Sequence, residues 1–368
     1  MLPDPIAARR QQRQQQLGAD ALRFRELIAK VGSGERTSTG LSRSEAAEAL
    51  SRLLQGQASD AQAGAFLIAH RLRRPSACEL AGMADAYRQL GPVLPSTTRP
   101  TLSFGVPFDG RTRTAPVLPL TALVLNTAGL AVVLHGGGPM PVKYGVSLAE
   151  LLEALGLPLR QLDWAAMAQL FREQGLALMH QPQHFPLADR LIPLREQIGK
   201  RPPIATLELL WSCCTTPELQ VSGFVHAPTE QLIAGAWTQL GIGNALTIKG
   251  LEGGVDLPTS RVSIAAHWRS LEPEPERLIL QARDHSLRAD EVELTSLEAW
   301  GVMAREALAG RGPLQQALIW NSGFLLWRCQ RQPTLEAGIA QAAALLHSDQ
   351  VQRNVEALIQ VVRRQAGK

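Results

Sequence analysis

The residues best equipped for chemistry in this chain are its arginines. Its 368 residues contain 37 Lys plus Arg against 33 Asp plus Glu, and Lys30, Lys143, Lys200, Lys249 and Lys368 are the only lysines. Most of the positive charge therefore sits on planar guanidinium forks, which match phosphate or carboxylate oxygens. Three groupings stand out: Arg71, Arg73 and Arg74; Arg111 and Arg113, behind Asp109-Gly110; and Lys143, Arg195, Lys200 and Arg201. Each has a plain structural alternative. The first group ends a helical pattern, where cations complement the helix dipole. The second flanks a glycine turn that solvent could cover, and the third could make surface ion pairs with Glu150 or Glu196. A net charge of +4 is too slight to indicate nucleic-acid binding by composition alone.

Other chemistry is thinly provided. His135 precedes Gly136-Gly137-Gly138-Pro139, but no Ser, Cys or second His stands at a usable spacing, and the turn lacks the context of a nucleotide-binding glycine motif. A packed or vestigial histidine is the simpler reading. Cys78, Cys213, Cys214 and Cys329 form no CxxC pair and no zinc-type cluster, which predicts reduced thiols, no bound metal and an intracellular, cytoplasmic chain. The vicinal Cys213-Cys214 pair reads as buried thiols in a helix. Among the tryptophans, Trp268, between His267 and Arg269, is the candidate stacking surface. The N-terminus lacks the apolar stretch of a secretory signal. The uncharged run 115 to 134 is broken by Pro116, Pro119, Asn126 and Gly129 into a buried helix and a buried strand, so no membrane partner is expected.

The elements that must position these groups follow from local signals. Residues 1 to 18, rich in Gln and Arg, read as a flexible basic arm or a frayed helix. Ser42 with Glu45, Ser59 with Gln62, and Ser76 with Glu79 are capping boxes ahead of apolar residues at helical spacing. They predict a small all-helical domain over residues 19 to 92, joined by helices within about 165 to 200. Beyond a Pro-rich linker, the fold class is α/β over residues 99 to 368, with a mostly parallel central sheet flanked by helices. Strands are predicted at 101–106, 130–135, 219–226, 244–250 and 261–268. Ser147 with Glu150 caps another helix, and four helical segments follow from about 295.

A helical segment reading LSRSEAAEALSRLLQGQASDAQAGAFLIAHRLR, then an α/β region with LHGGGP and an LLEALGL helix, resembles anthranilate phosphoribosyltransferase over most of residues 22 to 345. The resemblance implies a two-domain fold of the nucleoside phosphorylase-like type. It also implies a site for phosphoribosyl diphosphate and magnesium, from which this chain departs. Where the family has a GTGGD loop, it reads Gly105-Val106-Pro107-Phe108-Asp109. Where a phosphate-binding NxST element belongs, it reads APVLPL. Of a family Asp-Glu pair that holds magnesium, Asp256 remains and Leu257 replaces the glutamate. Gly105, Asp109, His135, Gly136 and Asp256 are thus expected to mark a vestigial site, with no cofactor.

With Arg195 and Arg201 at positions matching the family's substrate-side arginines, the pattern resembles the YbiB-type, nucleic-acid-binding branch of the TrpD-like proteins. That implies a homodimer through the helical domain, for which Leu50, Leu53, Leu54 and Phe66 to Ile68 are expected to supply surplus apolar surface. The expectation is a sequence-nonspecific binder of DNA or RNA through Arg71, Arg73, Arg74, Arg111, Arg113, Lys143, Arg195, Lys200 and Arg201. The rival is a divergent phosphoribosyltransferase using magnesium. A dimeric scaffold without chemistry is a third reading.

Overall fold

A computed structural model describes residues 5–34, 36–269 and 274–367. All four sequence-predicted capping boxes form: the side chains of Ser42, Ser59, Ser76 and Ser147 accept from the backbone three residues on, and the reciprocal bond is present in each. They start the helices Arg43–Leu54, Asp60–Arg73, Ala77–Leu90 and Leu148–Ala154. The first three, with Ala19–Gly32, make the helical domain around Phe24, Leu27, Leu50, Leu54, Phe66 and Leu67.

That core corrects one expectation. Leu50, Leu53, Leu54, Phe66 and Leu67 are buried within the chain, and Ile68 is half-buried, so of the residues expected to supply apolar surplus Ile68 alone reaches the surface. The four helices pair with one another and with Ile192–Ile198, Ile204–Leu210 and Ala227–Leu240, which closes their apolar faces. Of the two readings of the N-terminal segment, arm or helix, residues 5–17 take the helical one, as Pro5–Leu17.

The α/β part is a seven-stranded sheet of β1 (Thr101–Gly105), β2 (Ala131–Gly136), β3 (Leu176–His180), β4 (Leu219–Gly223), β5 (Asn244–Ile248), β6 (Ser263–Arg269) and β7 (Glu276–Leu280), in the order β3-β2-β1-β4-β5-β6-β7. The first five in that order are parallel, and β6 and β7 are antiparallel. β3 and β7 are edge strands that sequence pattern missed. β3 continues the apolar run of the helix Trp164–Gln174, and only the left-handed Gly175 separates the two. β7 carries charge and leaves Ile279 exposed, which suits an edge and weakens alternation. The uncharged run 115–134 is, as read, the helix Leu118–Thr127 and then β2. That helix is apolar on every side because Gln315–Arg328, Leu335–His347 and Gln350–Gln365 enclose it. Among the described residues, no helix is long and apolar enough to cross a membrane. Because the central strands are parallel, their carboxyl ends share one edge, and loops leaving that edge meet the helical domain.

Candidate binding cleft

A cleft of about 900 Å³ lies at that edge, between Arg71–Pro75 of the helical domain and the loops following β1, β4 and β5. Its walls carry five Lys or Arg side chains, Arg71, Arg74, Lys143, Arg195 and Arg201, against three carboxylates, Asp109, Glu208 and Glu252. The charge balance favours an anionic occupant, but most of these groups are already paired.

The loop after β1 sets the pairing. Gly110, with φ 78°, turns the chain so that Arg111 exchanges both backbone hydrogen bonds with Val146, while Ala115 donates to the carbonyl of Val292. Clamped on both sides, the turn drives the Arg111 side chain inward. Its Nη1 lies 2.6 Å from Asp256 Oδ2, its Nε 3.4 Å from Glu252 Oε1, and its Nη2 donates to Thr114. Glu252 fills the concave side of the turn. Its carboxylate accepts from the backbone N–H groups of Thr112 at 3.2 Å, Arg113 at 3.0 Å and Thr114 at 2.9 Å, and from both threonine hydroxyls at 3.1 Å. Lys143 Nζ stands 3.7 Å away. Burial alone would raise the Glu252 carboxyl, but the Thr114 N–H, the Arg111 charge and the other donors outweigh it and hold the group at about 2.

These contacts decide whether the expected vestigial site could hold magnesium. Asp256 is buried, with Oδ2 committed to Arg111 and further bonds from the Val117 and Leu118 backbone. Leu257, at the second carboxylate position, is buried, and its backbone is clipped to the Asn321 amide at 2.7 Å and 3.2 Å. Both Glu252 oxygens are occupied. Mg²⁺ in transferase sites is held by one or two carboxylates together with waters and substrate phosphates, and Asp256, the carboxylate left at this position, is engaged by Arg111. Among the described residues, no group of three or more His, Cys, Asp or Glu could hold a metal. Gly105 has a packing reason of its own, since a Cβ there would lie 1.9 Å from the Leu209 carbonyl oxygen. His135 is a strut: its Nδ1–H donates to the Phe104 carbonyl at 3.0 Å, and its Nε2 accepts from the Cys213 N–H at 3.2 Å. Full burial holds it neutral, with its pKa lowered to about 4. Gly136 ends β2 beside it.

Several sequence-predicted contacts need correction. Arg111 and Arg195 are buried rather than solvent-facing, the first on Asp256 and Glu252, the second on Glu208. Arg73 is turned onto the buried Glu79. Trp268 is half-buried, with its Nε1 donating to Thr247 and one ring face lying under Arg277 at 5.6 Å. Cys213 and Cys214 lie in the loop beyond the helix Ile204–Leu210. Arg201 donates to Asp109 at 2.7 Å, and Arg71 donates to the Arg201 carbonyl at 3.0 Å, linking the domains across the cleft. Lys143 is half-buried, which lowers its pKa, and it donates to the carbonyls of Gly110 and Glu252. Arg74, Arg113 and Lys200 are exposed. Glu252 and Glu208, which pair with Arg111, Lys143 and Arg195, were not anticipated; the local signal for Glu252 was an acid enclosed by glycines at 250, 253 and 254.

This arrangement, a helical domain closing on the carboxyl edge of a parallel sheet, is that of a glycosyl transferase, and the chain belongs to the glycosyl transferase family. The family's helical bundle domain matches residues 25–91 and its a/b domain residues 112–351. Within that family it is TrpD-like. It is 29% identical over 358 residues to an anthranilate phosphoribosyltransferase of Chloroflexus aurantiacus, covering 93% of this chain and 99% of the relative. An uncharacterized protein of Aquifex aeolicus is 28% identical over 305 residues, 82% of this chain and 92% of the relative. The solved anthranilate phosphoribosyltransferase of Thermus thermophilus superposes with a TM-score of 0.74 at 24% identity over 93% of this chain and 99% of its own. That of Saccharomyces cerevisiae, in complex with 4-fluoroanthranilate, gives 0.78 at 17% over 94% and 99%.

Arg111→Ala leaves Asp256 and Glu252 without their shared cation and is expected to cost about 3–5 kcal/mol of stability, the usual scale for breaking a buried pair. Arg113→Ala, an exposed side chain, is expected to be nearly neutral; urea unfolding of the two variants checks both. His135 gives a pH signature. Between about 6.5, the ordinary histidine value, and its folded value of about 4, the unfolded chain holds a proton that the folded chain lacks. Stability from this residue is therefore lost as pH falls through that window. A His135→Gln variant should show a pH slope shallower by up to one proton, about 1.4 kcal/mol per pH unit; superposable slopes would refute the buried neutral strut.

Proposed function

We propose that this chain is a phosphoribosyltransferase-fold protein that binds nucleic acid, DNA or RNA, without sequence preference and without catalysis. The observation that carries this reading is the cleft itself: cations outnumber carboxylates along its walls, while Asp256, the acid that remains of the magnesium pair, is paired with Arg111. Once Arg195 is assigned to Glu208, Arg201 to Asp109 and Lys143 to Glu252, the positive surplus on the walls falls to Arg71 and Arg74. Exposed Arg113 and Lys200 extend it beyond the cleft. Charges of this kind meet a phosphate backbone and carry affinity without reading bases. Cytoplasmic placement and a homodimer through the helical domain are part of the same proposal. They rest on the reduced cysteines and on the family resemblance, and two copies would offer two clefts to one strand.

The rival is a phosphoribosyl transfer enzyme using phosphoribosyl diphosphate and magnesium. It draws support from the names of the relatives, which match along almost their whole length. Departure of diphosphate demands donors and charge at the leaving oxygens, and here those donors are saturated by the chain's own carboxylate.

Fluorescence anisotropy with labelled oligonucleotides separates the two. The expected outcome is micromolar binding at low salt, with log affinity falling linearly with log salt at roughly 0.9 per neutralised duplex phosphate. Joint replacement of Arg71 and Arg74 by Ala should weaken all sequences alike and flatten the slope. Absence of binding, together with magnesium-dependent consumption of phosphoribosyl diphosphate and anthranilate, would establish the rival.

A further inference from the structure

The end of the sheet opposite the cleft carries a charged cavity of its own. β6 runs antiparallel to β5, so Arg269 at its end lies opposite Asn244 at the start of β5, on the amino edge. A cavity of about 320 Å³ opens there, between Arg269 and the end of the helix Gln315–Arg328. Small-molecule sites run from roughly 300 to 1,000 Å³, so this one suits a small ligand. Its wall carries three guanidinium groups, Arg269, Arg328 and Arg331, beside Trp327 and Pro333, and among the described residues no carboxylate.

The acid that answers these cations stands behind the wall. Glu276 accepts from Arg328 at 3.2 and 2.5 Å and from Arg269 at 3.2 Å. Both arginines also donate to Nδ1 of His267, whose Nε2–H is fixed on Asn244 at 2.6 Å. Burial, and then the two guanidinium charges, lower the His267 pKa to about 4, so the ring supplies a lone pair and no charge. Arg331 is left over. It is exposed, and its side chain has no partner among the described residues. Helix-end complementarity does not account for it, because the last carbonyls of the helix are met by backbone: Cys329 donates to Leu325, Gln330 to Trp327, and Arg331 and Gln332 to Leu326. Trp327 is half-buried with Arg328 4.5 Å over its ring, and its Nε1–H has no hydrogen-bond partner among the described residues.

We propose that this amino-edge cavity is a binding site for a small organic carboxylate, whose two oxygens meet the planar fork of Arg331 and whose apolar body rests against Trp327 and Pro333. Charge sets the class. With Glu276 set against Arg328, the unpaired Arg331 suits a single negative charge on a planar two-oxygen group, and the Trp327 N–H offers a further donor. Volume sets the size, since a lone acetate would leave most of the space and the apolar wall unused. The site is separate from the cleft and stands whether or not oligonucleotides bind there.

The test titrates the full chain with 2-naphthoate, with 2-naphthalenemethanol as the uncharged control and acetate as the control without a body. The indole N–H NMR signal of Trp327, assigned by its loss in Trp327→Phe, is followed. It should shift saturably at about millimolar 2-naphthoate or below, need far more acetate, and stay in place with the alcohol. Arg331→Ala should weaken 2-naphthoate at least about tenfold; the side chain is exposed and unpaired, so the variant should melt with the unaltered chain. Joint replacement of Arg71 and Arg74 by Ala should leave the titration unchanged. No saturable shift, equal affinity in Arg331→Ala, equal binding of the alcohol, or loss of the shift in the Arg71 and Arg74 variant would each overturn the proposal, and none of them bears on oligonucleotide binding in the cleft.

Discussion

Buried charge must be answered by buried charge, and in this chain the answer is Arg111 set between Asp256 and Glu252. Three separate stretches meet there: the turn after β1, the glycine-rich loop after β5, and the start of the helix Leu118–Thr127, whose first N–H groups Asp256 receives. Taking any one of these charges out of water is expensive unless hydrogen bonds replace the lost hydration. Here the count of partners is high enough to keep Glu252 ionised. The position of the Arg113 backbone, the orientation of Lys143 and the shape of the inner cleft wall all depend on that cluster.

The consequence is electrostatic. In a metal-dependent transferase the carboxylates fix a metal ion that stabilises charge developing during reaction. In this chain the carboxylates are spent on a guanidinium and on backbone donors before any ligand appears. What the cleft can still offer is surplus positive charge at its rim and two domains already tied together, Arg71 to the Arg201 carbonyl and Arg43 to the Gln239 carbonyl. The fold is that of the family, and the unpaired positive charge on the cleft walls is carried by Arg71 and Arg74.

Signals confined to a few residues were legible in the sequence. A serine three places before Glu or Gln caps a helix whatever the rest of the chain does, and four such pairs located four helices. The alternation of strands and helices likewise required a largely parallel sheet. Burial was not legible where it is decided by distant residues. Arg111 lies in a polar glycine turn that reads as solvated, and the acids that bury it stand about 140 positions away. Arg195 and Glu208 present the same difficulty across a helix and a loop. Leu50 and Leu53 were counted as surplus, but their helix packs against Ala77–Leu90 and Ala19–Gly32 of the same domain, and both are buried.

The central claim is that the chain's own ion pairs occupy the place of metal and diphosphate. The most direct test is calorimetric titration of the full chain with phosphoribosyl diphosphate in the presence of magnesium. No saturable heat up to roughly millimolar ligand, weaker than about −4 kcal/mol of binding free energy, is the predicted result. One saturable magnesium-dependent site per chain, lost in Asp256→Ala while that variant remains folded, would contradict it.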